Sequence, residues 1–340
     1  MKRLGLLSLT GMLVVSLLAG CQGKGSNAGV SANTKELDNA AVTQTDDSSD
    51  RKLSVYASFY PLYDFAKKVG GDKIEIVNLV PPGIEPHDWE PAASDMVSLE
   101  TADVFIYNGA DMEHWVDKVL ASLKTEKLIV VEASQGIELL EGHHDEHDEE
   151  EEHDEEEQHD EEEDHEEGHD PHVWLNPLYA KKQMEMIKQA FIEADSANEA
   201  YYESNYQKYA VEFDALDKAF KEELAILPNK DIIVAHQAFG YLCAAYGLNQ
   251  VPIEGLSPDS EPDPARMAEV IAFAKEHQIK VIFFEELVNP KVAEVIANAI
   301  NAKTDVLNPV EGLTDEQIAS GEDYISVMKQ NLTAIKAALQ

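Results

Sequence analysis

The stretch PLYAKKQMEMIKQAFIEADSANEAYYESNYQKYAVEFDALDKAFKEELAIL (177–227) divides the chain into two similar halves. After Pro177 it holds no Gly or Pro until Pro228, and Pro177 suits the first position of a helix, where the missing N–H costs nothing. Tyr202, Tyr206, Tyr209, Phe213, Leu216 and Phe220 recur at steps of three and four, which puts them on one helical face. The stretch reads as one amphipathic helix of about 45 residues, roughly 65–70 Å long. Such a helix is a stiff connector whose aromatic stripe packs against its neighbours, so only modest movement of the two halves is expected.

On its N-terminal side, short apolar runs alternate with helical patterns. The strand candidates are LSVYASF (53–59), KIEIVNLV (73–80), DVFIYNG (103–109) and KLIVVEA (127–133), with helices expected near 60–69, 94–101 and 113–123. The C-terminal side repeats the theme with DIIVAH (231–236), QVPIEG (250–255), KVIFFEE (280–286) and TDVLNPV (304–310). Helices are expected there near 238–246, 264–277, 290–301 and 322–339. This alternation is the signature of parallel sheets. The expected fold is α/β: two similar lobes, residues 53–176 and 228–340, each a four-stranded parallel sheet with surrounding helices, joined by one long rigid helix over 177–227.

The 340 residues carry 26 Lys+Arg against 66 Asp+Glu, a net charge of -40, which excludes a nucleic-acid binder held by phosphate contacts. The charge is concentrated. Residues 141–170 hold twenty acidic residues, seven His, two Gly and one Gln, with no Lys, Arg, aliphatic or aromatic side chain. Without apolar groups the segment cannot offset its ordering entropy, and it reads as a disordered insertion in the first lobe. At the N-terminus, Lys2 and Arg3 precede an apolar run from Leu4 to Leu18 that is short for a membrane span, the layout of a signal peptide over 1–20. The run ends in Leu18-Ala19-Gly20-Cys21, which resembles a bacterial lipobox and implies lipidation of Cys21. Residues 21–52 then form a polar, aperiodic tether holding an extracytoplasmic body at the membrane. Cys243 is the one remaining cysteine, so no intramolecular disulfide forms; it lies in a helical pattern as a core residue.

Outside the insertion there are five His. His114 and His277 fall within or at the end of helical patterns and receive no role. His87, in PPGIEPHDWEP, and His236, at the end of DIIVAH, stand past predicted strands, while His172, in DPHVWLNP, opens onto the connector. Open α/β sheets bind ligands at the carboxyl ends of their strands. Three imidazoles suit zinc, and an oxygen would complete a tetrahedron. The carboxylates past strands of the second lobe are Glu254, Glu285, Glu286 and Glu311; position alone favours Glu285 or Glu311 without deciding between them.

PHDWEP, DPHVWLNP, AHQAFGYL, FFEELVNPK and GEDYISVMKQNL, in this order, resemble the metal-binding solute-binding lipoproteins of bacterial ABC importers, specifically their zinc (ZnuA/AdcA-like) branch. The resemblance covers Leu53 to Gln340. It implies two α/β lobes joined by a long helix, with metal in the interlobe cleft held by His87, His172, His236 and Glu311. Glu285 then falls on an acidic position near the cleft that is not usually a ligand. The manganese branch has carboxylates at the positions of His236 and Glu311, so His236 implies Zn²⁺ in preference to Mn²⁺. Trp89 and Trp174, each two residues past a ligand His, are expected in the outer shell with Glu285. His143, His144, His147, His153, His159, His165 and His169 of the insertion are expected to form weak secondary zinc sites.

The leading expectation is thus a monomeric, lipid-anchored zinc-binding subunit that delivers Zn²⁺ to an ABC permease at the bacterial cell membrane and is not an enzyme. A manganese-binding homologue and a surface zinc buffer or adhesin are the alternatives. A zinc hydrolase is the competing enzyme class, but no helical pattern outside the acidic insertion carries an HExxH and no obvious separate general base stands out.

Overall fold

The computed structural model describes residues 51–125, 127–142, 168–258 and 262–340. The signal segment with Cys21, the tether up to residue 50 and residues 143–167, with six of the insertion's His, lie outside them.

The first lobe runs β1 (Leu53–Ala57), α1 (Tyr60–Gly70), β2 (Ile74–Asn78), α2 (Ala93–Leu99), β3 (Val104–Tyr107), α3 (Val116–Ser122) and β4 (Ile129–Glu132). Two helices follow, α4 (Pro177–Ala194) and α5 (Glu199–Ala225). The second lobe runs β5 (Asp231–Val234), α6 (Gly240–Tyr246), β6 (Asn249–Pro252), α7 (Pro264–Glu276), β7 (Val281–Phe284), α8 (Lys291–Ile300), β8 (Lys303–Val306), α9 (Asp315–Ser320) and α10 (Tyr324–Leu339). Both sheets are parallel and share one strand order, β2-β1-β3-β4 and β6-β5-β7-β8. The paired lobes expected from the repeated apolar runs are present.

Burial on both faces explains the near-continuous apolar strands. Successive side chains alternate between two cores. Val104 and Ile106 of β3, like Ile232 and Val234 of β5, face a large shared core, while Phe105 and Ile233 face separate outer clusters. The shared core runs unbroken from the first sheet through α1, α4, α5 and α10 to the second. Its centre is an aromatic trio, with Phe65 (α1) 5.6 Å from Phe213 (α5) and 5.0 Å from Tyr324 (α10), ring centre to ring centre. The aromatic stripe of α5 is therefore core.

The connector departs from the single helix expected over 177–227. It breaks at Asp195, where a short 3-10 turn over Ser196–Asn198 separates α4 from α5. The cause is local chemistry: short polar side chains compete for backbone partners that a helix would otherwise use. The Asp195 carboxylate accepts hydrogen bonds from Asn198 (2.6 Å) and from the Tyr202 hydroxyl (2.9 Å), which fixes the turn. The two helices then fold back on each other, with Lys188 on Glu203 (2.8 Å), Lys181 on Asp214 (2.7 Å) and Phe191 against Tyr202. Only α5, about 40 Å long, joins the lobes. The edges of the acidic segment also differ from the expectation of disorder over 141–170. Glu141 and His169 form an antiparallel bridge, and Asp170 is buried.

A charged cluster reinforces the junction. Lys68 of α1 contacts Asp64 one turn earlier and reaches Asp323, the N-cap of α10, at 2.9 Å. Lys68 and Asp64 are almost fully buried, so removing the cation leaves Asp64 uncompensated. Lys68→Met should lower the unfolding free energy by about 3 kcal/mol, read from urea denaturation at neutral pH.

Candidate metal centre

In a doubly wound sheet the crevice opens where the strand order reverses, between β1 and β3 in the first lobe and between β5 and β7 in the second. His236 lies two residues beyond β5 and Glu285 one beyond β7. The neighbouring strands thus bring His236 Nδ1 to 2.7 Å from Glu285 Oε1. In the first lobe the same position holds Asn108, just past β3, whose side-chain amide donates to the Pro171 carbonyl (2.9 Å) and accepts from Gln183 (2.9 Å). Asn108 thereby docks the loop that carries His172.

His87 and His172 share a local device. Each follows an acid and a proline, Glu85-Pro86-His87 and Asp170-Pro171-His172. In both, the acid accepts the backbone N–H of the His two residues on, at 3.0 Å for Glu85 and 2.9 Å for Asp170. The proline limits the loop's alternatives. Asp170 Oδ1 also faces His172 Nδ1 at 2.8 Å. Carboxylates on the Nδ1 atoms of His172 and His236 assign the proton there and leave each Nε2 lone pair for the centre.

Glu311 comes from the loop after β8. Asn331 of α10 accepts the Asn308 N–H (3.0 Å) and donates to its carbonyl (2.7 Å), and the Asn308 side chain accepts the Val310 N–H (2.7 Å). Val310 is held at φ 61°, in the left-handed region. That conformation is costly for a β-branched residue and persists only where the surroundings enforce it. The Trp174 indole N–H donates to the Pro309 carbonyl at 2.7 Å, and the Tyr324 hydroxyl donates to the Trp174 carbonyl at 2.5 Å. Trp174 thus links the His172 loop to the Glu311 loop across the lobes.

These supports bring four donor atoms together. Glu311 Oε1 lies 3.1 Å from His172 Nε2, 3.3 Å from His236 Nε2 and 3.5 Å from His87 Nε2. His172 Nε2 is 3.3 Å from both other Nε2 atoms. Among the described residues this is the one group of three or more His, Cys, Asp or Glu so arranged. A regular tetrahedron with edges of about 3.3 Å has its centre about 2.0 Å from each corner, the length of a zinc–nitrogen or zinc–oxygen bond. His172, His236 and Glu311 are buried, and the His87 side chain keeps 10% of its surface accessible. Glu311 Oε1 makes no hydrogen bond of good geometry although three imidazoles surround it. A donor set of this kind calls for a cation.

Electrostatics agree. Burial disfavours a charged His172, but Asp170, hydrogen-bonded to its Nδ1, and the nearby carboxylate of Glu311 outweigh it and raise its pKa. Burial opposes His236 as well, yet Glu285 and Glu311 hold it well above the ordinary range. His87 is lowered, chiefly by burial. Burial would protonate Glu311, but the charge of His236 and the close approach of the three imidazoles keep it well below the usual carboxylate range.

The four donors are the three His and the acid named from the resemblance; Glu285 sits behind His236, and Trp174 lies against His172 at 5.2 Å between ring centres. Trp89 packs edge-on to Trp115 (5.6 Å) and lies against both the outer cluster of the first lobe and the shared core. His169 is exposed and pairs with Asp111. Asp170, Asn108, Gln183, Val310 and Asn331 were not picked out from the sequence. The repeated acid-Pro-His pattern was a readable signal for Asp170; the others become visible only in three dimensions.

A protein-family model for ZnuA, described as zinc-uptake complex component A, periplasmic, matches residues 55–338. The chain is 44% identical over 301 residues to the high-affinity zinc uptake system protein ZnuA of Bacillus subtilis, covering 88% of this chain and 92% of that protein. It is 41% identical over 294 residues to the zinc-binding lipoprotein AdcA of Streptococcus pneumoniae, covering 85% of this chain but 56% of AdcA. The crystal structure of the Zn(II)-bound ZnuA-like domain of that AdcA superposes with a TM-score of 0.71 at 37% identity, over 85% of this chain and 99% of the domain. With two matching parallel sheets and a family match spanning both lobes, the chain belongs to the ZnuA family.

Proposed function

We propose that this protein is the extracytoplasmic zinc-binding subunit of an ABC importer, taking Zn²⁺ on His87, His172, His236 and Glu311 and presenting it to a membrane permease. The observation that carries the reading is the set of four donor atoms all within 4.8 Å of one another, with Glu311 Oε1 3.1–3.5 Å from each Nε2, in a buried junction between the lobes. The zinc uptake and zinc binding named for the relatives point the same way. Three nitrogens to one oxygen favour zinc over the harder Mn²⁺. Four protein donors close the coordination shell, whereas a zinc hydrolase keeps one position open for water. The reading is of a carrier, anchored through a lipid on Cys21 and tethered by residues up to 52.

Calorimetric titration should give one tight zinc site per chain, abolished by chelator. Four-ligand zinc sites contribute about 10–16 kcal/mol, so each donor contributes about 3 kcal/mol, roughly a hundredfold in Kd. His87→Ala, His172→Ala and His236→Ala should each lose about that much, and undiminished affinity in any two would sink the assignment.

Protonation competes with the metal. Because His172 and His236 hold protons above the ordinary imidazole range, zinc must displace them. Zinc affinity should therefore fall by about tenfold or more between pH 7 and pH 6, with protons released on binding in buffers of different ionisation enthalpy. A pH-independent affinity would contradict this site chemistry.

The insertion's histidines are proposed as weak accessory sites. Gly142 N and Gly168 O lie 2.7 Å apart, so residues 143–167 can be removed with the flanking chain already in contact. The deletion should leave the tight site intact and remove the weaker zinc equivalents from the titration.

A further inference from the structure

Asp170 lies between the His172 loop of the first lobe and the start of α6 in the second. One oxygen is engaged by the His172 backbone N–H and Nδ1, at 2.9 and 2.8 Å. The other lies so close to Gly240 that a Cβ there would come within 2.4 Å of it. Ordinary side chains never approach that closely, and the short Asp170 side chain, fixed by two bonds to His172, has no slack to yield. The next nearest atoms, on Gln250 and Leu140, would be at an acceptable 3.4 Å. Space for the Asp170 carboxylate is thus what Gly240 provides.

The adjacent residue completes the contact. The Tyr241 hydroxyl donates to the Asp170 carbonyl at 2.8 Å and accepts the Leu140 N–H at 2.9 Å. Leu140 and Asp170 are themselves joined, Asp170 N–H to the Leu140 carbonyl at 2.9 Å. One buried hydroxyl of the second lobe therefore holds both ends of the chain that flank the acidic segment, beside the residue that orients His172.

We propose that Gly240 and Tyr241 are positioning residues for His172, acting through Asp170, and that they couple the two roots of the acidic segment to the metal centre. Neither residue touches the four donor atoms. Gly240 sets how closely α6 seats on the carboxylate, and Tyr241 sets the height of the Asp170 backbone. Together they fix the direction of the His172 lone pair. The inference rests on the zinc reading of the centre.

The test uses the full chain with zinc calorimetry and with the visible absorption spectrum of the Co²⁺-loaded protein, which reports ligand geometry. Tyr241→Phe keeps the ring and removes only the two hydrogen bonds; Gly240→Ala introduces only the clash. Each should weaken zinc binding about tenfold to a hundredfold, as loss of an outer-shell partner does, and should alter the Co²⁺ spectrum. In an Asp170→Ala background the clash has no partner, so adding Gly240→Ala should cost no further affinity. Wild-type affinity and spectrum in both single variants, with only the melting temperature lowered, would overturn the proposal. So would losses that multiply in the Gly240→Ala/Asp170→Ala double variant. A wild-type chain with no tight zinc site would instead defeat the zinc reading itself.

Discussion

The rest of the structure depends on a repulsion. Three imidazole lone pairs and one carboxylate oxygen point at a common centre, with Glu311 Oε1 3.1–3.5 Å from each Nε2. In a dry interior such donors repel one another unless protons or a cation lie between them. A proton on His236 meets part of the demand, and the ring and Glu311 accordingly shift in opposite directions from their ordinary pKa values. A divalent cation meets it fully. The scaffold that holds these atoms together rests on a core shared by both lobes, on the Phe65, Phe213 and Tyr324 contacts and on the Lys68 cluster.

The two lobes repeat one topology but use their crevices differently. The second lobe places a donor, His236, and its carboxylate, Glu285, at the strand ends themselves. The first lobe supplies its donors from longer loops, so its crevice residues Asn108 and Gln183 serve to anchor loop backbone. Strand ends are fixed by sheet pairing. Loops need added support, and the acid-Pro-His turn supplies it twice.

Much of this was legible in one dimension because it is periodic. Alternating apolar runs identify eight strands, and the Gly-free, Pro-free stretch after Pro177 identifies the helical connector. The break at Asp195 escaped because Asp, Ser and Asn are tolerated within helices, and whether they end one depends on a partner such as Tyr202 arriving from the next turn. The spacing of Trp89 from His87 matches that of Trp174 from His172, but spacing does not say which core a ring enters: Trp174 lies wholly in the shared core, while Trp89 bridges it and the outer cluster around Trp115. Position along the chain left Glu285 and Glu311 equivalent, since both follow strands of the second lobe. What separates them in space is depth: Glu285 ends a strand beside β5 and meets His236 from behind, while Glu311 rides a further loop that carries it to the front.

That further loop carries backbone strain at a β-branched residue. Val310 adopts φ 61° with its side chain fully buried, and the neighbouring Pro309 carbonyl is engaged from the other lobe by Trp174. A β-branched residue reaches this conformation only when packing and hydrogen bonds together exceed a penalty of about 1–3 kcal/mol. The bonds that do so, from Asn308, Asn331 and Trp174, come from both lobes. The Glu311 oxygen is therefore held in its place by contacts drawn from both lobes, through a few hydrogen bonds around one strained residue.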